Sequence, residues 1–215
     1  MIKLFRQAFP DIDRYTAYIM KTPQPVTLSL NGIRLEPLGL QHEAGLRQAA
    51  ADGELWGLVF TSVPEPQDTA DYIRKALTTE NRLAFAVIDE HNGQVIGSTS
   101  YHDIIVNAER LEIGYTWYAK SRWRSAVNTT CKYLLLSHAF DTLGAQTVGW
   151  RTDNLNIRSQ QAIERLGAKK DGVIRGQQQR RDGSVRDTVM YSLIRAEWPQ
   201  VKTALAARLG LTSAD

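Results

Sequence analysis

The sequence has little cysteine and no long hydrophobic run, and both absences narrow the class of protein. Cys131 is the one cysteine among 215 residues, which excludes a disulfide framework and a multi-cysteine zinc site and favours a reducing compartment. No apolar run approaches the roughly 18 residues that span a membrane. Charged residues also interrupt the first twenty positions, unlike a signal peptide. We therefore expect a cytoplasmic protein that does not associate with membranes.

The chain also has little excess of positive over negative charge. The chain has 26 Lys and Arg against 23 Asp and Glu, which gives a formal net charge of +3. So small a surplus does not predict a general nucleic-acid binder. Hydrophobic residues make up 43% of the chain, more than a disordered segment carries. The composition indicates a globular protein of one domain with terminal additions.

Punctuating residues divide the chain into an N-terminal arm at residues 1–25, a domain at 26–198, and a C-terminal helix and tail at 199–215. The arm is expected to dock on its own domain or on a second copy of the chain, and the second arrangement would make a homodimer. Asn31-Gly32, between two apolar runs, is typical of a β-hairpin.

Hydrophobic periodicity predicts the elements of the domain. The helix at 68–79 is expected to bury Ala70, Ile73 and Leu77. The order fits neither a Rossmann domain nor a sandwich, so we predict a mixed α+β fold, in which the strands at 83–89, 94–105 and 110–119 form an antiparallel meander. Strands are predicted at 26–30, 33–38, 83–89, 94–105, 110–119, 146–152, 173–176 and 185–194, and helices at 40–51, 68–79, 126–143, 156–166 and 199–209.

A basic cluster lies at the start of the long predicted helix. It holds four basic residues and no acidic one: Lys120, Arg122, Arg124 and Lys132. The N-terminus of a helix favours anions through its free N–H groups and its dipole, so a phosphate or pyrophosphate site is one interpretation. A solvated basic loop is the other, and these residues alone leave both open.

The element order and several motifs resemble the GNAT superfamily of acyl-CoA-dependent N-acyltransferases. The motifs are RWRSAV at 122–127, NIRS at 156–159 and ERLGA at 164–168. LEIGY at 111–115, with the Asn-x-x-Ser helix, is similar to the Rim-type branch, whose members acetylate N-terminal amines of ribosomal proteins. The resemblance covers residues 26–198. It implies a splayed, mostly antiparallel central sheet and direct acetyl transfer from acetyl-CoA, without a metal, to a small amine or a protein N-terminus.

The resemblance also implies which residues bind the coenzyme. Loop amides would hold its pyrophosphate, and the strand before the loop would pair with its pantetheine arm. Ser125 and Val127 stand where the family usually has glycine or another small residue, and their side chains narrow the room for a phosphate. The residues assigned to the coenzyme are Trp117, Tyr118, Arg122, Trp123, Arg124, Ser125, Ala126, Val127, Asn128, Asn156 and Ser159. Trp117 is equally typical of a core residue, and Asn156 of a helix cap.

Glu112 matches the family position of the general base. A base is needed because an α-amino group, with a pKa of about 7.7–8.0, is largely protonated near neutrality. On its residue type alone, Glu112 is equally typical of a structural ion pair, and His102 on the neighbouring strand is the competing base. The resemblance implies that Ser159 returns a proton to the coenzyme thiolate, because Ile163 stands where many relatives have a tyrosine for that step. On its residue type alone, Ser159 is equally typical of the first turn of a capped helix.

The remaining candidates are less specific. Cys131 is expected in the core, and His138 is expected to be packed or capped. Aromatic residues after the first helix would border the amine site or pack on the core, and arginines of the last hairpin would attract an acidic substrate or solvate a turn. These are Trp56, Phe60 and residues 61–64, and Arg180, Arg181 and Arg186. The alternative function is a catalytically weak binding or regulatory module of the same fold.

Overall fold

The computed structural model describes residues 20–211, which form one eight-stranded sheet flanked by five α-helices. The strand order across the sheet is β1-β2-β3-β4-β5-β6-β8-β7. The strands are β1 (Leu28–Leu30), β2 (Ile33–Pro37), β3 (Leu83–Asp89), β4 (Gln94–Ile105), β5 (Arg110–Tyr118), β6 (Thr147–Asp153), β7 (Lys169–Gln179) and β8 (Val185–Ile194). The helices are α1 (Glu43–Ala51), α2 (Thr69–Thr78), α3 (Val127–Ser137), α4 (Ile157–Glu164) and α5 (Trp198–Arg208). Within residues 20–211, no helix has the length and apolar character needed to cross a membrane.

The sheet is splayed between its two central strands. β5 and β6 are the parallel pair, and they pair only from Arg110 opposite Thr147 to Glu112 opposite Gly149. Beyond Glu112 the strands diverge, while β5 stays paired with β4 on its other side. A bulge accompanies the divergence: Tyr115 has a left-handed φ of 50°. The predicted α+β fold with a mostly antiparallel, splayed sheet is confirmed.

Both faces of the sheet are covered by helices. The larger core joins one face to α3, α4 and α5 and includes Leu111, Leu135 and Phe140. The smaller core joins the other face to α1 and α2 and includes Trp117. Each fully buried Leu or Phe side chain stabilises the fold by about 1.5–3 kcal/mol. Cys131 lies in the larger core, where burial raises the pKa of its thiol to about 11, so its predicted core position is confirmed.

The elements predicted from the sequence agree closely with those observed, with three differences. In α2, Ile73 and Ala76 are buried and Leu77 is 54% exposed, so the prediction for Leu77 was wrong. The long helix changes to a π-helical turn at His138–Thr142. β7 is much longer than residues 173–176, because an edge strand with exposed side chains lacks the apolar alternation on which the prediction depends.

The predicted N-terminal arm falls mainly on residues 1–19, which lie outside the described residues. The predicted limits of the domain and of the C-terminal segment stay predictions. The predicted hairpin is confirmed, and its turn residues Asn31 and Gly32 have φ values of 48° and 72°, as a type I′ turn requires.

Candidate active site

A cleft of about 440 Å³ lies where β5 and β6 have diverged. Two of its walls follow those strands directly: the loop after β5 and the first residues of α4. The third wall is the segment after α1. The lining residues are Gly53, Glu54, Leu55, Leu58, Phe60, Lys120, Trp123, Leu155, Asn156, Ile157 and Arg158. The predicted coenzyme residues Trp123 and Asn156 are thus brought together across this cleft.

Trp123 is fixed in the cleft wall by two contacts. Its indole N–H donates to the carbonyl of Tyr118 at 3.0 Å. The guanidinium of Arg158 lies 3.7 Å from the centre of its ring, a cation–π contact, and burial lowers the pKa of Arg158. Asn156 is the N-cap of α4, and its side-chain oxygen accepts from the N–H of Ser159 at 3.1 Å. Arg158 is a cleft residue to which sequence reasoning gave no role.

The loop before α3 is held by its own side chains. Arg122 forms an ion pair with the buried Asp89 (Nη1 to Oδ2, 2.9 Å). The Ser125 hydroxyl donates to the carbonyl of Arg122 at 2.6 Å and accepts from the N–H of Val127 at 3.3 Å. The left-handed residue of the loop is Arg124, with φ of 59°. Arg122 and Ser125 therefore stabilise the loop, and Arg124 is exposed at its tip.

Two predictions about this region are changed by the structure. Val127 packs into the larger core, so its side chain does not take space on the solvent side of the loop. Lys132 was predicted to belong to the basic cluster, and this was wrong, because it is only 4% exposed. Its ammonium group donates to Thr116 Oγ1 at 2.6 Å and Thr99 Oγ1 at 3.2 Å, and burial lowers its pKa to about 8.

Side chains of Trp117, Tyr118 and Asn128 contact the protein itself. The indole N–H of Trp117 donates to the Tyr72 hydroxyl at 3.1 Å, and the hydroxyl of Tyr118 donates to Asn128 at 3.3 Å. Burial raises the pKa of Tyr118 well above its usual value. These strand residues could therefore contact a coenzyme only through their main chain, which is the contact that strand pairing uses.

Glu112 lies inside an ion-pair network. It is 2% exposed, and its two carboxylate oxygens contact Arg110 Nη2 at 3.0 Å and Arg151 Nε at 2.7 Å. Arg151 also contacts Asp103 at 2.8 Å, and the bond to Glu112 raises the pKa of Arg151. Asp103 in turn contacts His102 Nδ1 at 2.5 Å.

The same cluster has a spacing that could suit a metal ion. Oxygen and nitrogen atoms of His102, Asp103 and Glu112 lie within 4.8 Å of one another. Both carboxylates, however, are already paired with guanidinium groups, whose charge repels a cation. The donor set therefore does not fit a metal centre and suits an arrangement that orients the imidazole.

His102 is buried beside the splayed edge of β5. Burial lowers its pKa although Asp103 and Glu112 oppose this, so the ring is neutral near pH 7. With the Nδ1 proton assigned to the bond with Asp103, Nε2 carries the lone pair. Nε2 lies over Gly114, where an added Cβ would come within 2.2 Å of it. The ring of Tyr115 meets the imidazole edge-on at 5.1 Å.

A second cleft of about 620 Å³ lies beside Tyr115 on the α2 side of the sheet. Arg82 lines it, with its guanidinium 3.7 Å from the centre of the Tyr115 ring. Arg181 reaches from the last hairpin and donates to the carbonyls of Trp56 and Val63 at 2.8 Å each. Phe60 lines the first cleft, while Ser62 and Pro64 line the second. The segment after α1 that was predicted to border the amine site or pack on the core therefore borders both clefts.

The other two arginines predicted near the last hairpin, Arg180 and Arg186, lie beside one buried carboxylate. Arg180 forms a bidentate pair with the buried Asp153, at 2.7 and 3.0 Å. Arg186 lies 4.0 Å from the same carboxylate. His138 is buried and stacks on Tyr101 with ring centres 5.9 Å apart, so its predicted packed position is confirmed.

Comparisons with known proteins point to one family. The family model described as "Acetyltransferase (GNAT) domain" matches residues 33–169. The protein named Uncharacterized N-acetyltransferase YoaA, from Bacillus subtilis (strain 168), is 28% identical over 121 residues, which are 56% of this chain and 67% of YoaA.

Solved structures show the same fold. A GCN5-related N-acetyltransferase from Brucella melitensis superposes with a TM-score of 0.82 and 28% identity, covering 91% of this chain and 90% of that one. The ribosomal-protein-S5-alanine acetyltransferase from Vibrio fischeri shares the fold with a TM-score of 0.66 and 13% identity, over 80% and 98% of the two chains. With a family model that matches more than half of the chain, the chain belongs to the GNAT family and is an N-acetyltransferase.

Proposed function

We propose that the protein transfers the acetyl group of acetyl-CoA to a primary amine by direct attack in a ternary complex. The splay of β5 and β6 beside the first cleft is the observation that carries this proposal. From Ile113 to Trp117, β5 has no strand partner on the β6 side among the described residues, so the main-chain groups that face that side are free to bind an extended ligand. The pantetheine arm of a coenzyme A thioester is such a ligand.

The groups around the loop suit the phosphates of that coenzyme. The first turn of α3 has backbone N–H groups without helical acceptors, at the positive end of the helix dipole. Lys120 and Arg124 are exposed next to it, and Arg158 lines the cleft opposite. Arg122 holds the loop through Asp89 and contributes mainly to its shape. Bound acetyl-CoA supplies the activated acetyl thioester.

The structure offers two groups that could accept the amine proton. Glu112 stays a prediction as the base, acting through a water molecule, but both of its oxygens already contact arginines. A base must keep a lone pair within reach of the proton that it removes. His102 Nε2 does so beside Gly114, and Asp103, held by Arg151, fixes the ring. We therefore assign the proton to His102 Nε2 and an orienting role to Glu112.

Two further groups complete the proposed reaction. Backbone N–H groups of the free β5 edge would stabilise the tetrahedral oxyanion, a contribution typically worth about 3–4 kcal/mol for each donor. The Ser159 hydroxyl has no hydrogen-bond partner within residues 20–211, so it is free to donate a proton to the departing thiolate. Its N–H is separately capped by Asn156.

Calorimetric titration with acetyl-CoA, followed by a thiol-release assay with a panel of amines, tests the proposal. We expect saturable coenzyme binding and amine-dependent release of coenzyme A. No binding at millimolar acetyl-CoA would overturn the coenzyme assignment. Binding without turnover on any amine would instead support the binding or regulatory module.

A further inference from the structure

We infer that the acceptor is a free amino acid or a similarly compact amino-carboxylate, whose carboxylate binds Arg82 in the second cleft. This inference rests on the proposed function, because it names the acceptor of the same reaction. It starts from a cation that the protein leaves partly unpaired next to the proposed base.

The Arg82 guanidinium has one hydrogen-bonded nitrogen and two terminal nitrogens that make no hydrogen bond within residues 20–211. Its Nε donates to Ser100 Oγ at 3.1 Å, and its Cζ atom lies 3.7 Å from the centre of the Tyr115 ring. Its Nη2 atom is buried and has no hydrogen-bond partner within residues 20–211. A buried donor without an acceptor is unfavourable. A carboxylate is the acceptor that fits a guanidinium fork, through two parallel hydrogen bonds.

The carboxylates of the cleft do not fill this role. Asp71 pairs with Arg74 at 2.7 Å, and Glu65 accepts from Gln67 at 2.6 Å. Asp68 is exposed at the rim, and no ion pair joins it to Arg82 in the described part of the chain. The acidic side chains of the cleft therefore leave both terminal nitrogens of Arg82 without an anionic partner within residues 20–211.

The other cations of the cleft are placed differently. Both terminal nitrogens of Arg181 donate to carbonyls, one to that of Trp56 and one to that of Val63. Lys75 is exposed on α2. Arg82 is the lining cation that stacks on Tyr115 of β5, the strand proposed to pair with the coenzyme.

Tyr115 sets the distance between the anion site and the proton acceptor. One face of its ring is covered by Arg82, and its ring also meets the imidazole of His102 at 5.1 Å between centres. A carboxylate on Arg82 and an amine at His102 Nε2 are thus separated by about one aromatic ring. An α- or β-amino acid spans such a gap, whereas a protein N-terminus has a neutral amide where the amino acid has its carboxylate.

Matched acceptors test this inference. Each L-amino acid would be compared with its own primary amide, at saturating acetyl-CoA, by steady-state thiol release. We expect at least one acid to exceed its amide about tenfold or more in kcat/KM, through a lower KM. Equal or better use of the amides throughout the panel would overturn the inference.

Substitutions of Arg82 provide the second arm. Arg82→Gln is expected to bring the acid-to-amide ratio close to one by raising KM for the acid, and Arg82→Lys to restore part of it. Arg47→Gln is the control, because Arg47 is exposed on α1 and pairs with Glu43. Unchanged acetyl-CoA affinity in each variant shows that the fold is retained. A ratio that survives Arg82→Gln would overturn the inference.

A binding measurement separates this inference from the proposed function. If no amine is acetylated, the proposed function fails, and binding of N-acetyl amino acids and their amides to the wild type and to Arg82→Gln is measured by calorimetry. Preference of the wild type for the acids, lost in the variant, still supports a carboxylate site. Equal binding of acids and amides contradicts it.

Discussion

Arg151 connects Glu112 to Asp103 through a single guanidinium group, with contacts of 2.7 and 2.8 Å to the two carboxylates. Asp103 continues the chain to His102. Glu112, the carboxylate that the family resemblance favours as base, is therefore linked through Arg151 and Asp103 to the imidazole that faces the splayed strand. Its carboxylate also lies within 4.8 Å of that imidazole, so its charge acts on His102 directly as well.

Replacing His102 by Gln should reduce kcat by roughly 10²–10⁴-fold, the usual contribution of a general base. The pKa of His102 is lowered, so the neutral base prevails above its pKa, and wild-type activity should fall as pH decreases to below about 6.5. The profile of kcat against pH, at saturating acceptor, measures this. If the His102→Gln variant keeps the same decrease of kcat at acidic pH (the acidic limb), another group is responsible for it.

Replacing Glu112 by Gln should destabilise the protein by about 1–3 kcal/mol, because Arg110 and Arg151 lose a buried partner. Urea unfolding measures the loss. Activity should fall as His102 loses its orientation, and the acidic limb should move to lower pH, because the charge of Glu112 raises the pKa of His102. Full stability together with loss of that limb would instead make Glu112 the base.

Replacing Gly114 by Ala should move His102, because the new Cβ would lie 2.2 Å from Nε2. We expect a loss of about 1–3 kcal/mol in unfolding free energy, the usual effect of overpacking, and a fall in kcat. Gly172→Ala is the matched control on β7, where the added Cβ meets nothing within 4 Å. Similar behaviour of the two variants would contradict the proposed contact.

Replacing Lys132 by Met should raise stability most at neutral pH. The folded-state pKa of Lys132 is about 8 against an ordinary 10.5, so the buried ammonium opposes folding below pH 8 and this cost disappears as pH rises toward 10.5. The advantage of the variant should shrink by about 2–3 kcal/mol across that window. Urea titrations of both proteins at several pH values measure the difference, which also cancels the titration of neighbouring groups. A constant difference would exclude a titrating Lys132.

Replacing Arg158 by Ala should weaken acetyl-CoA binding about tenfold, as expected for loss of one cation and of its contact with Trp123. Arg165→Ala is the control, because Arg165 is exposed at the other end of α4, outside the cleft. Calorimetric titration gives both affinities. Equal affinity of Arg158→Ala and the wild type would remove Arg158 from the coenzyme site.

Local signals predicted much of the fold. β3 and β4 were predicted with the observed limits, because a clear turn at residues 91–93 separates two runs of mostly buried residues. The hairpin at Asn31 and the cap at Asn156 follow from residue preferences that act over two or three positions. The resemblance added the splay, which no local pattern encodes.

The site was less accessible from the sequence, because its contacts join distant segments. Nothing near Glu112 indicates that Arg151, 39 positions away, occupies one of its oxygens. Arg122 was assigned to the coenzyme, but Asp89 on β3 holds it. Tyr115 has a left-handed backbone, which the sequence would normally indicate by a glycine at that position. Its place between His102 and Arg82 was therefore not predicted. The roles of the predicted catalytic and coenzyme residues stay predictions.

The hydrogen bond from the Trp123 indole to the Tyr118 carbonyl also fixes the length of the free edge of β5. It occupies the last carbonyl of β5, just as the pairing of Glu112 with Gly149 closes the other end of the free edge. Between these two closures the edge runs from Ile113 to Trp117, about 17 Å at the usual rise of a strand. The fold therefore limits the length of extended ligand that can pair with β5, because main-chain pairing cannot continue past either end.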